Sequence, residues 1–136
     1  MTRGIRNNNP LNIVKTKDEW LGQCSAGDAK FCVFTHIKFG IRAAIILFCN
    51  YTKKYQIATI AELVHRFAPA TDGNNEQSYV SFLSQRLNLD KDALIPWWNE
   101  SFVVELFFAM AAMESQLPYS EEYANYVKQY YRIYFK

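Results

Sequence analysis

Helical patterning dominates the chain from Gly40 onward, whereas residues 3–37 carry turn formers without helical period. Within that first stretch, Asn12–Val14 and Phe31–Phe34 are short strand candidates flanking a turn at Ser25–Asp28. Gly40 to Lys53, rich in Ile, Ala, Leu and Phe, predicts the first long helix. Thr59 and Glu62 have reciprocal capping-box spacing and predict a helix through Phe67. Pro69 to Asn74 reads as a loop, and Asn75 is suited to cap a helix through Leu87. Asp90 to Trp98 has room for one short helical turn. An apolar run from Phe102 to Gln116 predicts another helix, stopped by Leu117-Pro118. Ser120 can cap a last, tyrosine-rich helix. The predicted fold is mostly α with a small β-hairpin lobe near the N-terminus, in one domain spanning residues 1–136.

The apolar run ends in an acid. Glu114 is delivered to the C-terminal end of an almost wholly hydrophobic helix, where a carboxyl against apolar walls resists ionisation because its charged form loses water. Such an environment can keep a glutamic acid protonated near neutral pH, as a general acid for glycosidic cleavage requires. The plainer alternative is an exposed acid at a frayed helix end, opposed by the helix dipole. Glu105, the other acid in the run, lies nearer the helix start, where negative charge suits the dipole, and is expected to be structural.

Composition narrows the classes. The 136 residues are 50% hydrophobic and 16% aromatic, which excludes a disordered tail. A net charge of +2 is too small to imply nucleic acid by itself and favours an anionic partner such as a cell wall only mildly. Cys24, Cys32 and Cys49 match no zinc pattern. Cys24 and Cys32 could pair across a hairpin, but free thiols are expected. His36 and His65 lack metal-ligand spacing, so neither a metal nor a cofactor is expected. No apolar run is long enough to span a bilayer, so stable membrane insertion is not expected. No signal peptide is visible after Met1, so the expectation is synthesis in the cytoplasm and later delivery, possible also within a virion.

Arg3-Gly4-Ile5-Arg6-Asn7-Asn8-Asn9-Pro10-Leu11-Asn12-Ile13 resembles the opening of a family of small phage and bacterial proteins of the lysozyme-like superfamily. Further likenesses follow in the same order. They are Trp20 with Gly22, Phe31 to Phe34, Gly40-Ile41-Arg42-Ala43-Ala44, Tyr51, Thr59-Ile60, Arg66-Phe67-Ala68-Pro69, Asn75 with Tyr79, and Met110 to Glu114 followed by Pro118-Tyr119. The sequence departs from that pattern at Leu11, where glycine is expected, at Phe67 for tryptophan, and at Ser115-Gln116 for Asn-Gly. A more distant likeness joins the chain to bacterial glucosaminidases and lytic transglycosylases. In those the glutamate helix precedes the Asn-rich turn; here it follows, an order that looks circularly permuted.

The resemblance implies a lysozyme-like domain that cleaves the N-acetylmuramic acid–N-acetylglucosamine backbone of peptidoglycan, as a muramidase or lytic transglycosylase. Glu114 is the expected acid, with Arg6, Asn8, Asn9, Asn12, Asn75 and Tyr79 contacting substrate. Each contact has an alternative. The asparagines can build turns, since Asn tolerates left-handed backbone and bonds its own chain, or offer neutral donors and acceptors to sugar. Arg6 can bind a carboxylate or brace the loop. Tyr79 can aim its hydroxyl into a cleft or pack as an aromatic. Asp72 and Glu76 are the candidates for a second carboxylate. The C-terminal tyrosines, interleaved with Lys128 and Arg132, can stack on single-stranded nucleic acid, but their helical spacing favours packing, and no nucleic-acid partner is expected. Ser115-Gln116 leaves a second reading, a cell-wall-binding or virion structural module that keeps the fold without turnover.

Overall fold

The computed structural model describes residues 1–25 and 27–135. Its order is α1 (Arg3–Arg6), β1 (Gln23–Cys24), β2 (Val33–Phe34), α2 (Ile37–Tyr55), α3 (Ile60–Phe67), a 3-10 turn (Ala70–Asp72), α4 (Glu76–Leu87), α5 (Glu100–Ser115) and α6 (Glu121–Tyr134). The molecule is mostly helical with one small antiparallel hairpin, pairing Gln23 with Phe34 and Cys24 with Val33.

α5 is the centre of the core. Val103, Leu106, Phe107, Ala109, Met110 and Ala111 are fully buried, and the helix is apolar on nearly every side because α4, α6 and α1 surround it. Its interior residues are held by burial, at about 1.5–3 kcal/mol for each large side chain. α6 lies along α2 through Ala124, Val127 and Tyr130, all buried. Its C-terminal end is locked there. Arg42 Nε donates to the Tyr134 hydroxyl at 3.0 Å, and Cys49 Sγ and Lys53 Nζ both donate to the Tyr134 carbonyl. The tyrosine stripe therefore packs, as its spacing suggests.

The caps expected from sequence form. Thr59 and Glu62 complete a capping box, and Asn75 and Ser120 accept from the backbone of Ser78 and Tyr123. α2 starts earlier than Gly40, at Ile37, because the His36 ring accepts from Lys38 N and caps it. All three cysteines are free thiols.

Three expectations need correction. Arg3–Arg6, expected to be irregular, forms a helical turn capped by Thr2, too short to leave a period in the sequence. Asn12–Val14 is not a strand of the hairpin, since Asn12 takes a left-handed φ of 52° and only Val14 pairs with Phe31. The partner of Val33–Phe34 is Gln23–Cys24 instead; of the expected Ser25–Asp28 turn, Ala26 lies outside the described residues. Asp90 to Trp98 forms turns and no helix. The segment is held extended against the entry to α3, by Ile95 N on the Ala58 carbonyl at 2.7 Å and Trp97 Nε1 on the Ile57 carbonyl at 2.9 Å. No helix among the described residues is long and apolar enough to cross a membrane.

Candidate active site

A helix leaves its last carbonyls without partners, and burying them requires donors from elsewhere. At the end of α5 those donors come from the start of the chain. Thr2 Oγ1 donates to the Ser115 carbonyl at 2.6 Å, and Asn12 Nδ2 donates to the Glu114 carbonyl at 2.9 Å. Ser115 Oγ donates in turn to the Pro10 carbonyl at 2.7 Å. Two glycines make the approach possible. A Cβ on Gly4 would collide with Ser115 Oγ, and one on Gly40 with the Asn8 carbonyl. The Asn-rich segment is thus wedged between α5 and α2.

This wedge sets Glu114 into the wall of a cleft of about 910 Å³. Asn12, Leu11 and Ile13 line it from the N-terminal segment, Trp20 and Phe31 from the hairpin lobe, and Tyr51 and Phe67 from the helices. The Tyr79 hydroxyl donates to Glu114 Oε2 at 2.9 Å, and Asn12 Nδ2 makes a longer contact with Oε1 at 3.4 Å. Burial raises the Glu114 pKa above its ordinary value, against the opposing pull of the Tyr79 and Asn12 hydrogen bonds. The C-terminal end of the helix dipole acts in the same direction as burial. Tyr79, buried and packed edge-on against Phe67 at 6.4 Å, is raised well above the usual phenol range, first by burial and then by Glu114. It remains a donor throughout the working range of the carboxyl. Tyr51, also buried, is pushed up to about 12.

Of the expected site residues, Glu114, Asn12 and Tyr79 come together and the others do not. Asn9 is fully buried and its amide is saturated. Nδ2 donates to the carbonyls of Ile13 and Cys32, and Oδ1 accepts from Ile13 N at 2.9 Å. It builds the turn and offers nothing to a ligand. Asn8, at a left-handed φ of 54°, donates to the Phe34 carbonyl at 3.0 Å and ties the turn to β2. Asn75 is an exposed helix cap outside the cleft lining, and Arg6 is exposed and also absent from it. Glu76 is occupied elsewhere: the Ala70 N–H that donates to it at 2.8 Å chiefly lowers its pKa, with a smaller pull from the neighbouring His65. Asp72 does line the cleft. Glu105 is exposed on α5 and does not line the cleft.

Leu11, Ser115 and Gln116, where the sequence departs from the pattern it resembles, have structural uses. Leu11 is a core residue beneath the cleft, and Ser115 faces the N-terminal segment rather than open space. Gln116 takes the left-handed residue that ends α5, with φ 56°. Sequence reasoning missed Asp18, Glu19 and Lys30 as cleft residues. The polar run Thr16 to Glu19 immediately before Trp20 was the available signal. No cluster of side chains suited to a metal occurs among the described residues.

These features define a class of small, mostly helical domain in which the N-terminal segment and the end of α5 close on each other beside an acid-bearing cleft. No family model matches the sequence. The chain is 30% identical over 117 residues to Protein P5 of Pseudoalteromonas phage PM2, an alignment covering 83% of this chain and 71% of that protein, and it belongs to the same family.

Proposed function

We propose that the protein is a peptidoglycan glycosidase of lysozyme-like fold, cutting between N-acetylmuramic acid and N-acetylglucosamine with Glu114 as general acid. The observation that carries this reading is the Glu114 carboxyl itself: raised by burial, held by Tyr79, and open to a cleft large enough for sugar rings. With the proton on one oxygen and the Tyr79 hydroxyl on the other, the acid is oriented to protonate a leaving glycosidic oxygen. Asp18, Glu19 and Asp72 line the same cleft and are the carboxylates available to assist water in a hydrolase. Without such help, Glu114 acts as acid and then base while the sugar's own hydroxyl closes an anhydro product. A relative encoded by a phage fits an agent that must breach a cell wall.

A zymogram on purified cell walls, followed by mass spectrometry of the fragments, tests the proposal. Clearing with reducing ends supports hydrolysis, and anhydro ends support the transglycosylase route. Absence of clearing by folded protein would favour the non-catalytic wall-binding or virion module.

A further inference from the structure

The acid chemistry leaves one wall of the cleft unused. Trp20 is half-buried, packs on the core and lines the cleft. Its turn is rigid: Trp20 N donates to Gln23 Oε1 at 3.0 Å, Gln23 N donates to the Trp20 carbonyl at 3.1 Å, and Gly22 holds a left-handed φ of 79°. A Cβ on Gly22 would run into the Phe39 ring, so the turn admits only glycine. The turn fixes the backbone that carries the indole, and the half-buried ring, packed on the core, offers a flat apolar face to the cleft.

Lys30 lines the same cleft and is the one cationic side chain to do so among the described residues. Its ammonium lies 5.1 Å from the centre of the Phe31 ring and makes no ion pair among the described residues. Arg3, which also sits over Phe31, is neutralised by Asp28 and is not equivalent. The other charged groups of the cleft, Asp18, Glu19, Asp72 and Glu114, are acids. A ligand carboxylate is therefore repelled along most of the cleft and attracted at one point.

We propose that Trp20 and Lys30 form a subsite for a carboxylate-bearing amino sugar, with the ring on the indole and the carboxylate on the ammonium. The cleft then prefers glycans with carboxylates to neutral polymers of N-acetylglucosamine. This inference rests on the reading of the cleft as a glycan site. The carboxylate can come from the lactyl group of a muramyl residue or from its stem peptide.

Calorimetric titration of the Glu114→Gln protein, which binds without cutting, tests it with three ligands: N-acetylglucosamine oligomers, peptide-free wall glycan and peptide-bearing wall glycan. At low salt one or both wall glycans should bind about three- to fivefold more tightly than the neutral oligomer, the scale of a single solvent-exposed ion pair. Whichever glycan gains identifies the source of the carboxylate. Adding Lys30→Gln should abolish the preference, Lys30→Arg should keep it, and Trp20→Leu should weaken all three ligands. A preference that survives Lys30→Gln, or equal binding of all three ligands, overturns the subsite while leaving the glycan reading intact. Failure of every ligand to bind overturns both.

Discussion

Asn12 and Glu114, 102 residues apart in sequence, are joined by a 2.9 Å hydrogen bond from the Asn12 side chain to the Glu114 carbonyl. The same amide nitrogen reaches toward the carboxylate, so one residue fixes both the end of α5 and the acid it carries. Asn12→Ala should leave the glycan-binding constant nearly unchanged while lowering turnover roughly tenfold, because a loosened acid loses alignment before it loses its ligand. Steady-state kinetics on soluble wall fragments would show this as a fall in kcat. A change confined to KM would return Asn12 to direct substrate contact.

Glu114→Gln should abolish wall lysis, with a loss of roughly a hundredfold or more, while circular dichroism remains native. Gln preserves size and can still accept from Tyr79, but has no proton to give. Glu105→Gln, on the exposed side of α5, should lyse walls normally. Full lysis by the Glu114 variant removes the assignment.

The raised Glu114 pKa has two consequences with pH. Activity that needs the protonated acid should decline as pH climbs through the raised value. Stability follows the same sign: the folded state holds this proton more tightly than the unfolded chain does. The contribution is complete below the unfolded pKa and is lost as pH rises through the folded one. Glu114→Gln should consequently melt above the wild type at neutral pH, and the gap should close in acid. Thermal melts of both proteins across pH measure it. A gap that widens in acid contradicts the assigned direction.

Asn9→Ala should cost the fold at least about 2 kcal/mol, since it strands the buried Ile13 N–H and removes donors to two carbonyls. Gly40→Ala should cost about 1–3 kcal/mol by forcing the Asn8 carbonyl off α2. Urea titrations give both values, and a neutral Asn9 variant would mean the turn is held by other bonds.

Asp28 accepts from Arg3, Asn7 and the backbone of Lys30 and Phe31, and its carboxyl is held far below the usual range, chiefly by Arg3. Its stabilising effect is present above the unfolded pKa and lost as pH falls through the acid range. Asp28→Asn should lower Tm at neutral pH by several degrees and flatten the acid limb of the stability curve. Melts that overlay those of the wild type at neutral pH would deny the hub its role.

Three helix starts were legible because caps are local: Thr59 with Glu62, Asn75 and Ser120 each act on backbone within a single turn, whereas the short α1 and the caps His36 and Asn99 were not read. The partly buried setting of Glu114 was legible from the apolar run that carries it. The asparagine block was legible as special, but not in its division of labour. Asn9 spends its amide on Ile13 and Cys32, Asn8 on Phe34, and Asn12 on Glu114, and nothing in the spacing distinguishes a side chain that bonds its own turn from one that crosses the molecule. The strand misplaced at Asn12–Val14 has the same origin, since a left-handed residue breaks an otherwise extended run. Asp18, Glu19 and Lys30 reach the cleft along irregular chain without a period; only the polar run before Trp20 marked the first two.

Because Thr2, Pro10 and Asn12 close onto the final turn of α5, the cleft cannot exist until nearly the whole chain is available. A polypeptide emerging from the ribosome can form α2 while its first dozen residues still wait for their partner. Closing so long a loop is an entropic cost that local helices do not bear. The setting of Glu114 is therefore completed only with the molecule: a truncated or half-folded chain carries the glutamate without the contacts that hold the end of α5.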